Sequence, residues 1–210
     1  MQSDDATLAE STEESLLRAG FAMGDDYVNV LRNNLHGAVP RHRVLALRGV
    51  VRQRLATSDD WLRAIGDVDV EVRREALNQI AHEEIDDDDV FAAIMHCLDD
   101  DDALVVDGAV FALGEHLYAG SVEKMCVIAT SHEDARCRES AIAALGAIGD
   151  DRARPAILGA LDDKPPVRRR AIVALANFEG PDIDEALERA SADRDWQVRA
   201  AVNQLGRDDD

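Results

Sequence analysis

The sequence predicts an all-α fold, an α-solenoid of five to six stacked helical hairpins, and three observations lead to this prediction. A similar phrase recurs six times at intervals of 30 to 33 residues, and the apolar residues within each phrase follow helical spacing. Short acidic or proline-containing turns separate the phrases. Copies at a near-constant period are typical of a repeat array, in which units that cannot bury their apolar faces alone stack on one another.

The repeats align on a small residue in the middle of each phrase. The phrase is clearest in CRESAIAALGAIG at residues 137–149 and VRRRAIVALANFE at residues 167–179. An apolar residue follows four positions after each small residue, and arginine precedes most of them by three positions. The aligned small residues are Ala46, Ala76, Ala109, Ala141, Ala171 and Ala201.

Each unit is predicted to be a helical hairpin. In VRREALNQIA the apolar residues stand at positions i, i+4, i+5 and i+8, which is a helical stripe rather than strand alternation. A shorter apolar-periodic segment precedes each such helix, as at residues 88–98 and 154–161. In the second of these, Pro155 suits the first turn of a helix.

The array is expected to fill residues 25–210, after an N-terminal acidic tail or capping helix at residues 1–24. Four residues would form the apolar side of such a cap: Leu8, Leu16, Leu17 and Phe21. The last repeat has apolar residues that would face a seventh one: Ile183, Leu187, Val202 and Leu205. Because terminal repeats need a polar face or a cover, we expect a homodimer through the C-terminal repeat or the docking of another chain there.

The pattern of Asp, Val-Arg, two variable residues and Ala-x-x-x-Leu-Gly resembles the short HEAT repeats named after phycobilisome bilin lyases. Residues 67–81 and 162–176 carry the resemblance, which extends from about Asn33 to Arg207. Val106 replaces the arginine in the third repeat, and the arginine of the sixth is displaced by one position. The resemblance implies that the recurrent Asp and Arg form a structural ladder of ion pairs between neighbouring repeats. The expected ladder residues are Arg43, Arg73, Arg138, Arg168, Arg199, Asp67, Asp100, Asp162 and Asp193.

The sequence predicts no catalytic residue, no metal site and no cofactor. The HEAT-repeat deoxyhypusine hydroxylases bind iron through His-Glu dyads just before the small residue, and this chain has no such dyad there. The aspartate runs at residues 86–89 and 99–102 lack the glycine and the terminal glutamate of an EF-hand loop. Neither a phosphate-binding glycine-rich loop nor a GxSxG motif is present.

The composition excludes several function classes. A net charge of −20 argues against general nucleic-acid binding, which depends on basic surface. No apolar run is long enough to cross a bilayer, and the acidic start MQSDDATLAESTEE has no signal-peptide core, so we expect a cytoplasmic protein that does not bind membranes. Many Asp and only two Lys favour a halophilic source, although a GC-rich genome also replaces Lys by Arg.

The charge is distributed in bands along the chain. Residues 27–58 contain six Arg and no acid, whereas residues 75–123 contain fourteen acids and no Lys or Arg. Bands of this kind steer and orient a partner more than they add affinity. The arginines predicted to contact an acidic or phosphorylated protein partner are Arg41, Arg48, Arg52, Arg169 and Arg170.

These observations predict a non-catalytic protein–protein interaction scaffold or adaptor. Repeat arrays offer extended surfaces for gripping a protein partner. Two alternatives stay open at this point: an enzyme-associated subunit or chaperone related to bilin lyases, and a regulatory adaptor in a signalling or motility system.

Overall fold

The computed structural model describes residues 24–208, and helices are the only regular secondary structure in that range. The predicted all-α fold of stacked helical hairpins is confirmed. The twelve α-helices of this range are α1 (Gly24–Leu35), α2 (Pro40–Arg52), α3 (Ser58–Ile65), α4 (Val70–Ile80), α5 (Asp88–Cys97), α6 (Ala103–Glu115), α7 (Val122–Ser131), α8 (Ala135–Ile148), α9 (Arg154–Gly159), α10 (Pro165–Leu175), α11 (Pro181–Ser191) and α12 (Trp196–Asp208).

The chain forms two compact units, residues 1–79 and residues 80–210. The predicted domain boundary after residue 24 stays a prediction. The cap built on the four apolar residues between Leu8 and Phe21 lies outside the described residues.

The first unit is organised around the pairing of α1 with α2. Leu31 of α1 and Leu47 and Val50 of α2 are almost completely buried. Helix α3 then begins with a capping box, in which Thr57 and Asp60 satisfy each other's backbone N–H groups. Aspartate near a helix N-terminus also suits the positive end of the helix dipole.

The second unit contains four helical hairpins, and the second helix of each packs on the second helix of the next. Helix α6 contacts α8, α8 contacts α10, and α10 contacts α12. The first helices pack likewise, with α7 against α9. The second helices therefore lie side by side in one layer.

The small residues on which the repeats align allow this close stacking. Ala109, Ala141 and Ala171 have no exposed surface. A Cβ atom at Gly114 would lie 2.7 Å from the Cβ of Ala144 on the next repeat, so the two backbones approach more closely than a side chain would permit.

Aspartates in the turns cap the N-termini of the helices that follow. Asp87 accepts hydrogen bonds from two backbone N–H groups at the start of α5, and Asp102 does the same for α6. Asp134 caps α8 through the N–H of Arg136. These acidic side chains of the turns thus accept hydrogen bonds from backbone N–H groups that a helix leaves unpaired.

Candidate protein-binding surface

Arginine–aspartate pairs join consecutive repeats within each unit. In every pair, two guanidinium nitrogens donate to the two carboxylate oxygens of an aspartate in the next turn, at distances between 2.6 and 2.9 Å. The same arginine also donates to a backbone carbonyl of its own turn, so it ties two turns together. The three pairs are Arg43 with Asp67, Arg138 with Asp163, and Arg168 with Asp193.

One predicted ladder residue is wrong. The partner of Arg138 is Asp163 and not Asp162, which ends a short 3₁₀ turn and is exposed. Asp163 is an extended residue two positions before α10, and its carboxylate also accepts the N–H of Lys164 at 2.6 Å. This position points its side chain back towards the preceding repeat.

The register predicted for the sixth repeat is also wrong. Arg199 donates to the carbonyls of Asp193 and Arg194, six and five residues earlier. Arg138 donates to carbonyls at the same two separations. Arg199 is therefore in register with the other arginines, and the aligned residue of this repeat is Val202 and not Ala201. The displacement arises because the turn from Asp163 to Arg168 is one residue shorter than the corresponding turn from Asp193 to Arg199.

A groove lies on the solvent-facing side of α6, α8 and α10 in the second unit, with a volume of about 320 Å³. Phe111 stands on its α6 side with 42% of its surface exposed. The small side chains of Ala143 and Ala147 on α8 line the bottom of the groove. Val173, 48% exposed, lies on α10 at the repeat position that corresponds to Phe111 and Ala143.

Charged groups occupy both ends of the groove. Glu115 is at the C-terminal end of α6 and has no hydrogen bond or ion pair among residues 24–208. Near the start of α8, a carboxylate oxygen of Glu139 lies 3.6 Å from Nη2 of Arg170. Ser140 donates to Asp107 at 2.5 Å, and the Nε of Arg170 is buried without a hydrogen-bond partner.

Comparison with known families identifies the repeat type. Residues 122–206 match a family model described as HEAT repeats. This segment is similar to HEAT repeats. The resemblance predicted from the sequence is thereby confirmed, whereas no curated protein matches the sequence significantly.

Solved structures share the fold at low sequence identity. YibA of Escherichia coli aligns with a TM-score of 0.63 and 19% identity over 90% of this chain and 72% of its own. The CpcE–CpcF complex of phycocyanin lyase from Nostoc sp. PCC7120 gives 0.61 and 20% over 83% and 74%. A designed armadillo repeat protein in complex with the peptide (KR)4 gives 0.57 and 14% over 90% and 96%. These similarities show the fold alone.

Neither member of the ladder pair is present between the third and fourth repeats. Val106 occupies the arginine position and is buried. His132 occupies the position of the partner aspartate, where its Nδ1 accepts the N–H of Asp134 at 3.1 Å. Replacing the aspartate together with the arginine avoids a carboxylate buried without a cation, which costs free energy.

The remaining predicted ladder residues contact their own turns. Arg73 donates to the carbonyl of Asp67 at 2.9 Å. Asp100 accepts the N–H of Asp102 at 3.0 Å. These two turns thus have the same hydrogen bonds to their own backbone as the turns that carry the bidentate pairs.

The arginines hold the ladder carboxylates in their ionised form. Hydrogen bonds from Arg168 hold the pKa of Asp193 below its usual value, and Arg138 has the same effect on the pKa of Asp163. Burial opposes the shift in both cases without reversing it.

This direction of the pKa shift predicts acid sensitivity. The stabilisation from Asp193 is fully present above the unfolded pKa of about 3.9 and is lost as the pH falls through the lower folded pKa. We therefore expect the gap in urea midpoint between wild type and Asp193→Asn to close between about pH 5 and pH 2. A gap that stays constant over this range would contradict the linkage.

The arginines predicted to bind a partner are partly engaged within the protein. Arg48 makes two hydrogen bonds of 2.8 Å to the carboxylate of Glu75. Arg169 donates to the amide oxygen of Gln197 at 3.2 Å. Arg170 faces Glu139 in the groove, and Arg41 and Arg52 are exposed. Their role in partner binding stays a prediction.

The groove escaped the sequence prediction, although a signal for it exists. Two positions after the aligned small residue, the first two repeats have polar Arg48 and Asn78. The next three have Phe111, Ala143 and Val173. An apolar residue repeated at a position outside the buried stripe indicates a surface with a binding function.

In the described part of the chain, no three His, Cys, Asp or Glu side chains are placed to hold a metal ion. No helix between residues 24 and 208 combines the length and the apolar character needed to cross a bilayer.

Proposed function

We propose that the protein is a non-catalytic interaction scaffold and that the second helices of its HEAT repeats bind a segment of a partner protein. The repeat-solenoid fold is typical of such scaffolds. The observation that carries the proposal is the apolar side chain at one repeat position in three successive repeats, next to a groove. This side chain is exposed in Phe111 and Val173 and half-buried in Ala143. Two of the similar structures point the same way, since one contains a bound peptide and the other is a complex of two proteins.

Affinity capture from the native host, at the host's own salt concentration, tests this function. Ala143→Arg fills the groove, and Val127→Arg is the matched control because Val127 is 61% exposed on α7, outside the groove. We expect the wild type and Val127→Arg to retain the same proteins and Ala143→Arg to lose at least one of them. Identical sets for all three variants would contradict a binding role for the groove.

A second candidate function is that of an enzyme-associated subunit or chaperone related to bilin lyases. The similarity to the CpcE–CpcF complex favours it. Protein purified from its host would then carry a tetrapyrrole, visible in its absorption spectrum. A colourless preparation would leave the scaffold as the better description.

A salt-adapted, cytoplasmic protein remains our proposal from the composition, and it predicts a denaturation midpoint that rises from low to molar salt. Repulsion among the fourteen acids of residues 75–123 should weaken as the Debye length falls from about 10 Å at 0.1 M to about 3 Å at 1 M. The buried ladder pairs lose less to screening. A flat or falling series would contradict this proposal.

A homodimer through the C-terminal repeat also remains a proposal. Trp196, at the start of α12, is 67% exposed and supplies an apolar surface for it. Light scattering on a size-exclusion column tests it. A monomer at every concentration would remove it and leave the docking of another protein.

A further inference from the structure

The groove has the dimensions of a site for an extended peptide. Neighbouring packed helices lie about 8–10 Å apart, so α6 and α10, on either side of α8, are about 16–20 Å apart. An extended chain rises about 3.3 Å per residue and crosses this distance in about five or six residues. Phe111 lines the α6 side and Arg170 the α10 side, and the methyl groups of Ala143 and Ala147 leave room between them. Val173 is exposed on α10, about one helical turn beyond Arg170.

Two carboxylates mark the ends of this groove. In aligned HEAT repeats, Glu115 lies six positions after the small residue and Glu139 two positions before it. A difference of eight helical positions corresponds to about 12 Å along the helix axes, at 1.5 Å per residue. Because α6 and α8 lie about 8–10 Å apart, the two carboxylates are about 15 Å apart on a line oblique to both helices. Phe111 and Ala143 share the position midway between the two carboxylates.

Both carboxylates are available to a ligand cation. Glu115 is exposed and has no partner within residues 24–208. Glu139 forms an ion pair of 3.6 Å with Arg170 but accepts no hydrogen bond in the described structure, so its carboxylate oxygens can still accept hydrogen bonds from a second cation. Asp107, at the same end as Glu139, adds a second negative charge against the single Arg170. Each end therefore carries one net negative charge.

The charge on the α6 side of the groove favours a cationic ligand as well, whereas α8 and α10 carry arginines, of which Arg138 and Arg168 are paired with aspartates. Helix α6 belongs to the stretch of residues 75–123, which contains fourteen acids and no Lys or Arg. A field of this sign raises the local concentration of basic segments and repels acidic ones.

We propose that the groove formed by α6, α8 and α10 binds an extended segment of a partner protein in which two basic residues flank an apolar one at alternate positions. Side chains at i, i+2 and i+4 of an extended chain point to the same side, and the outer two are about 13 Å apart. One basic residue pairs with Glu115, the apolar residue packs between Phe111 and Ala143, and the other basic residue pairs with Glu139. This inference rests on the proposed function and adds the chemical class of the partner segment.

Three fluorescein-labelled peptides containing KSLSK, ESLSE or KSSSK test the proposal by fluorescence anisotropy with the full-length protein. We expect KSLSK to bind at least about tenfold more tightly than either of the others, because only it satisfies both carboxylates and the apolar patch. Tighter binding of ESLSE would overturn the proposal and support the acidic partner predicted from the arginines. Equal binding of KSLSK and KSSSK would overturn the apolar contact.

Two pairs of variants separate groove binding from attraction to the bulk charge. Glu115→Lys is matched by Glu185→Lys, on the exposed face of α11, and Phe111→Ser is matched by Val127→Ser. We expect each groove variant to weaken KSLSK binding roughly tenfold and each control to leave it unchanged, with circular dichroism establishing that all four fold. Equal losses in the two members of a pair would overturn the proposal.

The two proposals fail in different ways. Suppose that KSLSK binds no more tightly than the control peptides but that Ala143→Arg still loses host proteins in the affinity capture. The scaffold function then stands, and the proposed basic segment is wrong. If Ala143→Arg captures the same host proteins as the wild type, the proposed function itself is wrong.

Discussion

Replacing Arg168 with alanine is expected to lower the free energy of unfolding by about 3–5 kcal/mol. The Arg168 side chain is 4% exposed and makes two hydrogen bonds, of 2.9 and 2.8 Å, to Asp193. It also donates to the carbonyl of Asp163 at 2.8 Å. Its removal leaves the Asp193 carboxylate, 15% exposed, without its cation, and an uncompensated charge at such a site is expensive.

The neighbouring arginine provides the control for this measurement. Arg169 is half-buried and makes one hydrogen bond of 3.2 Å to Gln197. Arg169→Ala should change the free energy of unfolding by no more than about 0.5 kcal/mol. Urea denaturation of both variants gives the two changes in the free energy of unfolding. Equal changes would show that the ladder does not stabilise the stack.

Replacing Gly146 with alanine is expected to cost about 1–3 kcal/mol, since the new methyl group overpacks the contact between repeats. Its Cβ would lie 2.5 Å from the Cβ of Ala174 and 2.8 Å from its Cα. The contact with the Cα of Ala174 involves the backbone, so only a separation of α8 and α10 can relieve it.

Gly159→Ala is the matched control for this substitution. No atom lies within 4 Å of the position that its Cβ would take. Thermal or urea unfolding should therefore show a midpoint that is unchanged or slightly raised, since alanine is the better helix former. A loss at Gly159 as large as that at Gly146 would mean that helix spacing is not the cause.

The repeat period and the ladder arginines could be predicted from the sequence because every unit needs the same contact at the same place. Arg43, Arg138 and Arg168 stand three positions before a buried alanine, and the structure pairs each with an aspartate. The choice between Asp162 and Asp163 was not predictable in this way. Two adjacent aspartates satisfy the pattern equally, and only the geometry of the turn decides which one faces the arginine.

The sixth repeat shows a second limit of pattern reasoning. Ala201 continued the spacing of 30 residues from Ala171, but the turn before Arg168 is one residue shorter than the others, so this spacing misses the register of the sixth repeat by one. The hydrogen bonds of Arg199 show the correct register. The contact of Arg170 with Glu139 was equally inaccessible, because this pair of charges does not recur in the other repeats. The exposed position of Phe111 became recognisable as part of a site only when its neighbours on α8 and α10 were in place.

The most direct test of the account is to map the KSLSK peptide on the isotope-labelled protein by nuclear magnetic resonance. The account predicts chemical-shift changes at the methyl groups of Ala143, Ala147 and Val173, and none at Val127 on the first-helix side. Changes confined to the first helices, or spread evenly over both layers, would contradict the claim that the second helices of the HEAT repeats form the binding surface.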